Sequence, residues 1–235
     1  VQTNLGEWKP YGGHRLWIAP EDMPKSYAPD DKPVDYEQIN EFSARLTQSI
    51  ESATNFQKEM MITLDATGNG VTISHKLTNH SETAVSAAAW AITIMRGGGE
   101  ALIPREPFAP YSHDALLPVR NLALWSYTNL NDERFRFDND FICLQVDEER
   151  NEPQKIGAFN KQGFLKYRWN DLEFTKRFDV VNDAIYPDMN SNCEVYTAGN
   201  YVELETLSPL VKLAKGESIT HEERWELNLS SAAGY

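Results

Sequence analysis

The chain has 235 residues, of which 41% are hydrophobic, so it is long enough to form a large β domain with a substantial core. Its 22 basic and 35 acidic residues give a net charge of −13, which argues against nucleic acids and anionic membranes as partners. A neutral small molecule is compatible with that charge. The longest apolar run, residues 84–95, is shorter than the roughly 20 residues that span a bilayer. No targeting segment is visible, which leaves the compartment open.

Short motifs for cofactors are missing from the sequence. The two cysteines, Cys143 and Cys193, are too few for a disulfide framework, and neither CxxC nor HExxH spacing occurs. The GGGE segment at residues 97–100 lacks the Lys and Ser/Thr of a phosphate-binding loop. We therefore predict no cofactor and no metal.

The first half of the chain starts with a motif, a loop and then strands. Residues 12–21, GGHRLWIAPE, lead into a Pro- and Asp-rich stretch that predicts a surface loop to about residue 35. Strand patterns begin at Phe42 and include residues 56–64 and 71–77, with an Asn-Gly turn signal between them. Residues 84–95 carry small side chains on both faces, which predicts a strand buried between layers.

The second half is a series of short strands. Residues 97–120 predict loops with one short strand, and residues 121–130 fit a strand or a short helix equally well. Further strands are predicted at residues 141–147, 155–159, 164–169, 172–180, 193–197, 201–207 and 219–229. About a dozen short strands with little helical periodicity predict an all-β fold, a large antiparallel β-sandwich that forms a single domain over residues 1–235.

The strand at residues 201–207 carries paired acids. Because side chains alternate along a strand, Glu203 and Glu205 share one face with Tyr201, whereas Val202 and Leu204 face a core. Two charges about 6.7 Å apart repel by roughly 2.5 kcal/mol at an effective dielectric constant of about 20. That repulsion raises the pKa of one carboxyl and suits it to act as a base. A solvated sheet surface is the alternative interpretation.

Several segments, taken in order, resemble the galactose mutarotase-like (aldose 1-epimerase-like) superfamily, and most closely its DUF4380 family of unknown function. They are GGHRLWIAPE, LTNHSETAVSAAAW, ALIPRE, LPVRNLALWSYTNLNDERF, KIGAFNKQGFLKY, YPDMNSNCEVYT and ELETLSPLVKLAKGESITHEERWEL. The resemblance implies a supersandwich of two large antiparallel sheets with a concave carbohydrate-binding face. Relatives usually carry several strands before the Gly-Gly motif, so a fragment, a processed form and a shortened member all remain open.

The resemblance also implies roles in sugar mutarotation, which needs a base for the anomeric hydroxyl and an acid for the ring oxygen. The base of these enzymes is a Glu followed by Thr and Gln. Here Glu205 and Thr206 match that motif, and Leu207 replaces the Gln. In the family a His acts as the general acid, and the corresponding position of this sequence is Trp90. We therefore predict His14 of the GGHR motif as a replacement acid.

Further residues are candidates for holding a sugar. Arg15 offers a guanidinium for hydroxyl or carboxylate groups, Trp90 and Tyr201 offer aromatic faces, and Asp188 offers a carboxylate. The alternatives are an ion pair of Arg15 with Glu21 or Asp22, a core position for Trp90 and a turn-capping role for Asp188. Two hypotheses follow: a carbohydrate-recognising protein that interconverts sugar anomers, or a non-catalytic carbohydrate-binding module. In both, the partner is a small carbohydrate, and the sequence does not indicate an oligomeric state.

Overall fold

The segments with alternating or continuously apolar residues form strands. A computed structural model describes residues 1–66 and 68–230. The strands of this part are β1 (Gln2–Thr3), β2 (Gly6–Glu7), β3 (Gly13–Ala19), β4 (Asp35–Asn40), β5 (Ser43–Thr47), β6 (Phe56–Leu64), β7 (Gly70–Asn79), β8 (Val85–Arg96), β9 (Glu100–Pro104), β10 (Leu122–Leu124), β11 (Phe135–Phe137), β12 (Phe141–Gln145), β13 (Gln154–Ala158), β14 (Phe164–Trp169), β15 (Leu172–Phe178), β16 (Cys193–Ala198), β17 (Tyr201–Leu207), β18 (Val211–Leu213) and β19 (Ser218–Leu229). Two short helical turns, Lys25–Tyr27 and Pro187–Asn190, lie between strands.

Ten strands form one antiparallel sheet, in the order β11-β12-β9-β14-β15-β19-β7-β6-β5-β4. The strand β19 lies inside this sheet, with β15 on one side and β7 on the other. Because β7 and β19 pair from Thr78 opposite Ser218 to Gly70 opposite Glu226, distant parts of the chain meet in the sheet.

A second antiparallel sheet has the order β10-β13-β16-β17-β8, and β8 pairs further with β3 and β18. The register places Glu205 opposite Ile92, and Arg15 opposite the same Ile92 on the other side of β8. We call the face of this sheet that points away from the ten-stranded sheet the outer face. The arrangement confirms the predicted all-β antiparallel sandwich and positions the candidate site.

The core lies between the two sheets. Val202 and Leu204 of β17 are fully buried there, as the alternation predicts, and they belong to one cluster with Leu165 and Ile103. Burying a side chain of this size stabilises the fold by about 1.5–3 kcal/mol. Both cysteines are free and buried.

The strand β8 is buried on both faces, as its small residues predict. Ala87 and Ala89 pack inward with Leu16, whereas Ala88 packs outward against Trp17. The outward contacts arise because the segment that contains Trp8 covers part of the outer face. Small side chains in β8 therefore allow layers to approach from both sides.

Two parts of the structure differ from the sequence-based expectation. The strand β4 begins at Asp35, inside or directly after the predicted loop, and each of its residues is exposed because it is an edge strand paired only with β5. Of residues 121–130, only Leu122–Leu124 form a strand. Among the described residues, no helix has the length and apolar character needed to cross a bilayer.

Candidate functional site

The outer face of β17 carries the paired acids that the sequence singles out. Glu203 and Glu205 point to this face, and their neighbours across the sheet are Tyr196 and Glu194 of β16. On the other side they adjoin the outward residues of β8. The prediction that both acids share one face and oppose the core is confirmed.

Glu205 is enclosed by two donors. Trp90 Nε1 donates a hydrogen bond of 2.7 Å to Glu205 Oε2, and Lys155 Nζ of β13 donates to the same oxygen at 3.0 Å. Lys155 Nζ also lies 2.7 Å from Glu194 Oε2. Because both glutamates are fully buried, one ammonium group compensates two carboxyl groups at the floor of the site.

Lys155, Glu194 and Glu205 form a buried triad. Burial and charge have opposite effects on the pKa values of Lys155 and Glu194. Burial alone would lower the pKa of Lys155, but Glu205 and Glu194 outweigh it and hold the pKa well above its usual value. Burial raises the pKa of Glu194 well above its usual value, against the opposing charge of Lys155. Lys155 therefore stays a cation, and burial favours the protonated form of Glu194.

A pocket of about 380 Å³ lies above Lys155 and is lined mainly by aromatic rings. Lys155 Nζ lies 4.9 Å from the ring centroid of Trp90 and 4.7 Å from that of Trp125, within the range of cation–π contacts. The remaining lining residues are Val1, Trp8, Trp17, Glu21, Tyr27, Tyr127, Pro153, Tyr196, Tyr201 and Glu203. This aromatic pocket, as we call it, combines broad apolar faces with a few charged groups.

Glu203 is the carboxyl group of the β17 pair that lines the pocket. Burial and then the neighbouring Glu205 raise its pKa to about 8, against the lowering effects of Lys155 and Arg15. At neutral pH its carboxyl is therefore mostly protonated, and it can donate as well as accept a hydrogen bond.

The raised pKa of Glu203 predicts a pH-dependent stability. The folded state keeps a proton that the unfolded chain releases above its ordinary value near 4.5. The wild type therefore loses stability as the pH rises from about 4.5 to 8, at up to about 1.4 kcal/mol for each pH unit. Glu203→Gln removes this loss, so its advantage over the wild type in urea unfolding grows from pH 5 to pH 8. Glu222→Gln, at an exposed position, is the control, and an advantage of Glu203→Gln that stays constant with pH contradicts the assignment.

The comparisons with solved structures agree with this architecture. A protein from Escherichia coli K12 assigned provisionally to the aldose 1-epimerases superposes with a TM-score of 0.53 and 12% identity, over 87% of this chain and 70% of that one. A galactose mutarotase-like protein from Lactobacillus casei gives a TM-score of 0.53 and 11% identity, over 83% and 73% of the two chains. The chain has a galactose mutarotase-like fold. No protein-family model and no curated protein matches it, so membership of the DUF4380 family stays a prediction.

Most of the sequence-predicted site residues meet on the outer face of the galactose mutarotase-like fold. Trp90, Tyr201 and Glu203 line the aromatic pocket, and Glu205 lies beneath it. Arg15 projects from β3 on the same face, where its guanidinium lies 4.9 Å from the ring centroid of Trp8. No ion pair joins Arg15 to Glu21 or Asp22 within the described residues.

Asp188 lies outside the lining of the aromatic pocket. It has a left-handed φ of 47°, and its main-chain oxygen accepts a hydrogen bond of 2.8 Å from Ser191 Oγ. The structure thus places it in a turn. The sequence could not separate this arrangement from a sugar contact, because Asp favours both.

His14 lies on the inner face, opposite to Glu205. Arg15 and Trp17 of β3 point outward, so the alternation turns His14 toward the ten-stranded sheet. Its Nδ1 lies 2.9 Å from Thr93 Oγ1 and its Nε2 lies 2.6 Å from His75 Nε2. The two residues predicted as acid and base are therefore separated by the sheet.

The inner-face neighbours of His14 form a buried polar cluster, defined by His14, His75, Thr93, Lys176 and Glu223. Burial lowers the pKa of both histidines, and the charge of Glu223 opposes this effect only in part, so both imidazoles are neutral near pH 7. Lys176 Nζ lies 2.8 Å from Glu223 Oε1 and donates to two main-chain oxygens and to Thr93 Oγ1. The expectation that His75 is a hydrogen-bonded buried residue is confirmed.

Proposed function

We propose that the chain is a carbohydrate-recognising protein and that the aromatic pocket binds the sugar. The observation that carries the proposal is the lining: eight aromatic side chains surround the pocket, with Lys155, Glu203 and Glu21 as polar groups. Aromatic faces suit the C–H patches of sugar rings. A volume of about 380 Å³ lies in the range of small-molecule sites, about 300–1,000 Å³.

The pocket supports binding more directly than it supports Glu205 as a free base. Glu205 Oε2 accepts hydrogen bonds from Trp90 and Lys155, and the whole side chain is buried. A general base needs to reach the proton that it removes. We therefore place the non-catalytic binding module first, with Lys155 and Glu203 as hydrogen-bonding groups for sugar hydroxyls.

Interconversion of sugar anomers is the second candidate function, and Glu203 favours it. Its carboxyl lines the pocket, and a pKa of about 8 lies close to the pH at which proton transfer in either direction is efficient. Glu205, which matches the family's base in sequence, would then tune Glu203 through its charge. The galactose mutarotase-like fold alone does not decide between the two functions.

Sugar titrations followed by tryptophan fluorescence and calorimetry test the proposal. We expect saturable binding of at least one common aldose by the wild type, and about tenfold weaker binding by Tyr201→Ala, because a stacking face is lost. Tyr111→Ala is the matched control, since Tyr111 is 91% exposed and outside the pocket. Equal affinities for both variants, or no binding of any aldose, contradict the assignment of the pocket.

Polarimetry of freshly dissolved aldoses separates the two functions. If the protein accelerates mutarotation and Glu203→Gln abolishes the acceleration while sugar binding persists, the catalytic candidate replaces the binding module. Binding without acceleration supports the binding module. The Glu205→Gln variant, measured in parallel, shows which carboxyl the rate depends on.

A further inference from the structure

Three side chains of the buried polar cluster direct metal-ligand atoms at one point. One ligand atom from each of His14, His75 and Glu223 lies within 4.8 Å of the other two. His14 Nε2 lies 2.6 Å from His75 Nε2 and 4.0 Å from Glu223 Oε2. They come from β3, β7 and β19, so both sheets contribute. Because these strands are far apart in sequence, no short motif could reveal the group. The cluster and the aromatic pocket lie on opposite faces of the second sheet, which contains β3, β8 and β17.

Hydrogen bonds around the cluster orient the three ligand atoms. His75 Nδ1 lies 2.8 Å from the main-chain oxygen of His221. A carbonyl oxygen only accepts, so Nδ1 carries the proton and Nε2 of the neutral ring presents a lone pair. Trp225 Nε1 donates to Glu223 Oε2 at 2.9 Å, and Lys176 holds the other oxygen. Such outer contacts are typical of metal sites.

Two arrangements are compatible with the short contact between the two imidazoles. His14 Nε2 lies 2.6 Å from His75 Nε2, and two lone pairs at that distance repel. Either His14 carries a proton on Nε2 and donates it to His75, or His14 donates Nδ1–H to Thr93 and a cation lies between the rings. In the second arrangement, the Nε2 atoms of both histidines and the carboxylate of Glu223 bind the same cation.

We infer that His14, His75 and Glu223 form a binding site for a divalent transition metal, with Zn²⁺ as the natural candidate. Two His and one Glu are a common ligand set for zinc, with a water as fourth ligand. Tetrahedral bonds of about 2.0–2.1 Å place ligand atoms about 3.3 Å apart. The separations of 2.6 Å between the imidazole nitrogens and 4.0 Å between His14 Nε2 and Glu223 Oε2 reach that value with shifts below about 1 Å.

The charges of the cluster select the type of metal. Lys176 and Glu223 form an ion pair, so the positive charge of Lys176 neutralises the negative charge of the Glu223 carboxylate. The ligand set therefore has no net negative charge. Hard cations such as Ca²⁺ and Mg²⁺ need several oxygen ligands and are excluded by this composition. Zn²⁺, Co²⁺ and Ni²⁺ bind imidazole nitrogen well. His14, whose side chain is 11% exposed, provides the entry side.

Titration of the chelator-treated full chain with Co²⁺ tests the inference. We expect one Co²⁺ per chain, visible absorption bands of a four-coordinate ion and a change in the fluorescence of Trp225, whose ring packs edge-on against His14 at 4.8 Å. Zn²⁺ displaces Co²⁺, whereas Ca²⁺ and Mg²⁺ do not. Absence of stoichiometric Co²⁺ and Zn²⁺ binding by the wild type overturns the site.

Variants connect the binding to these residues. His14→Gln, at the partly exposed position, and His75→Ala each weaken Co²⁺ binding by more than about 100-fold, beyond the 10–100-fold effect of an outer contact. His113→Ala, in an exposed loop, keeps the wild-type affinity. Circular dichroism without metal shows which variants fold. Wild-type affinity in a folded His14→Gln protein overturns the assignment even if His75→Ala does not fold.

Discussion

Replacing Lys155 by Met is expected to destabilise the protein by about 3–5 kcal/mol, because it leaves Glu194 and Glu205 buried without their cation. The loss is larger at pH 8 than at pH 5. The reason is that Lys155 opposes the burial that raises the pKa of Glu194. Without Lys155 the folded state holds the Glu194 proton more tightly, and the unfolded chain releases that proton as the pH rises. Urea unfolding at several pH values measures both effects.

A second substitution separates lost charge compensation from lost packing around Lys155. In Lys155→Met combined with Glu194→Gln, a neutral amide that does not ionise replaces the buried carboxyl group of Glu194, so part of the stability returns. Lys161→Met, in an exposed turn next to the same strand, is the control and changes stability by less than about 0.5 kcal/mol. A double variant no more stable than Lys155→Met contradicts the compensation of Glu194 by Lys155.

The second large effect is expected for Lys176→Met. Lys176 is fully buried, and its ammonium group contacts Glu223, Thr93 and the main-chain oxygens of Ala91 and Leu204. Its removal leaves the buried carboxylate of Glu223 without its cation and removes the three further hydrogen bonds of the ammonium group, which costs about 3–5 kcal/mol. Chemical denaturation measures the loss.

The matched substitution for Lys176 is Lys215→Met. Lys215 also forms an ion pair, with Glu82, but the two side chains are 56% and 84% exposed. Exposed pairs contribute about 0–1 kcal/mol, so Lys215→Met has a small effect. Losses of similar size in the two variants would show that burial does not decide the contribution of these lysines.

The faces of β17 could be predicted from sequence because its two parities differ in chemistry. Val202 and Leu204 are apolar and alternate with Glu203 and Glu205. The apolar pair is therefore buried only if its face of β17 points to the core. The same alternation failed to orient β3, whose apolar side chains occur at both parities. Only the pairing of Trp17 with Trp90 across the sheet shows that His14 faces inward.

Lys155 is the site residue that the sequence did not reveal. A lysine at the start of a short strand is usually exposed, and the acids near it in the chain, such as Glu152, are not its partners. Its partners, Glu194 and Glu205, come from the two neighbouring strands of the sheet. Contacts between strands depend on sheet order and register, and a single sequence does not encode these locally.

The position of β19 in the middle of the ten-stranded sheet has a consequence for biosynthesis. During translation, β7 and β15 emerge with the edges that β19 will later occupy. Until residues 218–229 have left the ribosome, both edges offer unpaired main-chain groups to other chains. The long loop that this pairing closes also slows folding. Because Glu223 arrives on the same strand, the nascent chain acquires its buried polar cluster only in the closing step.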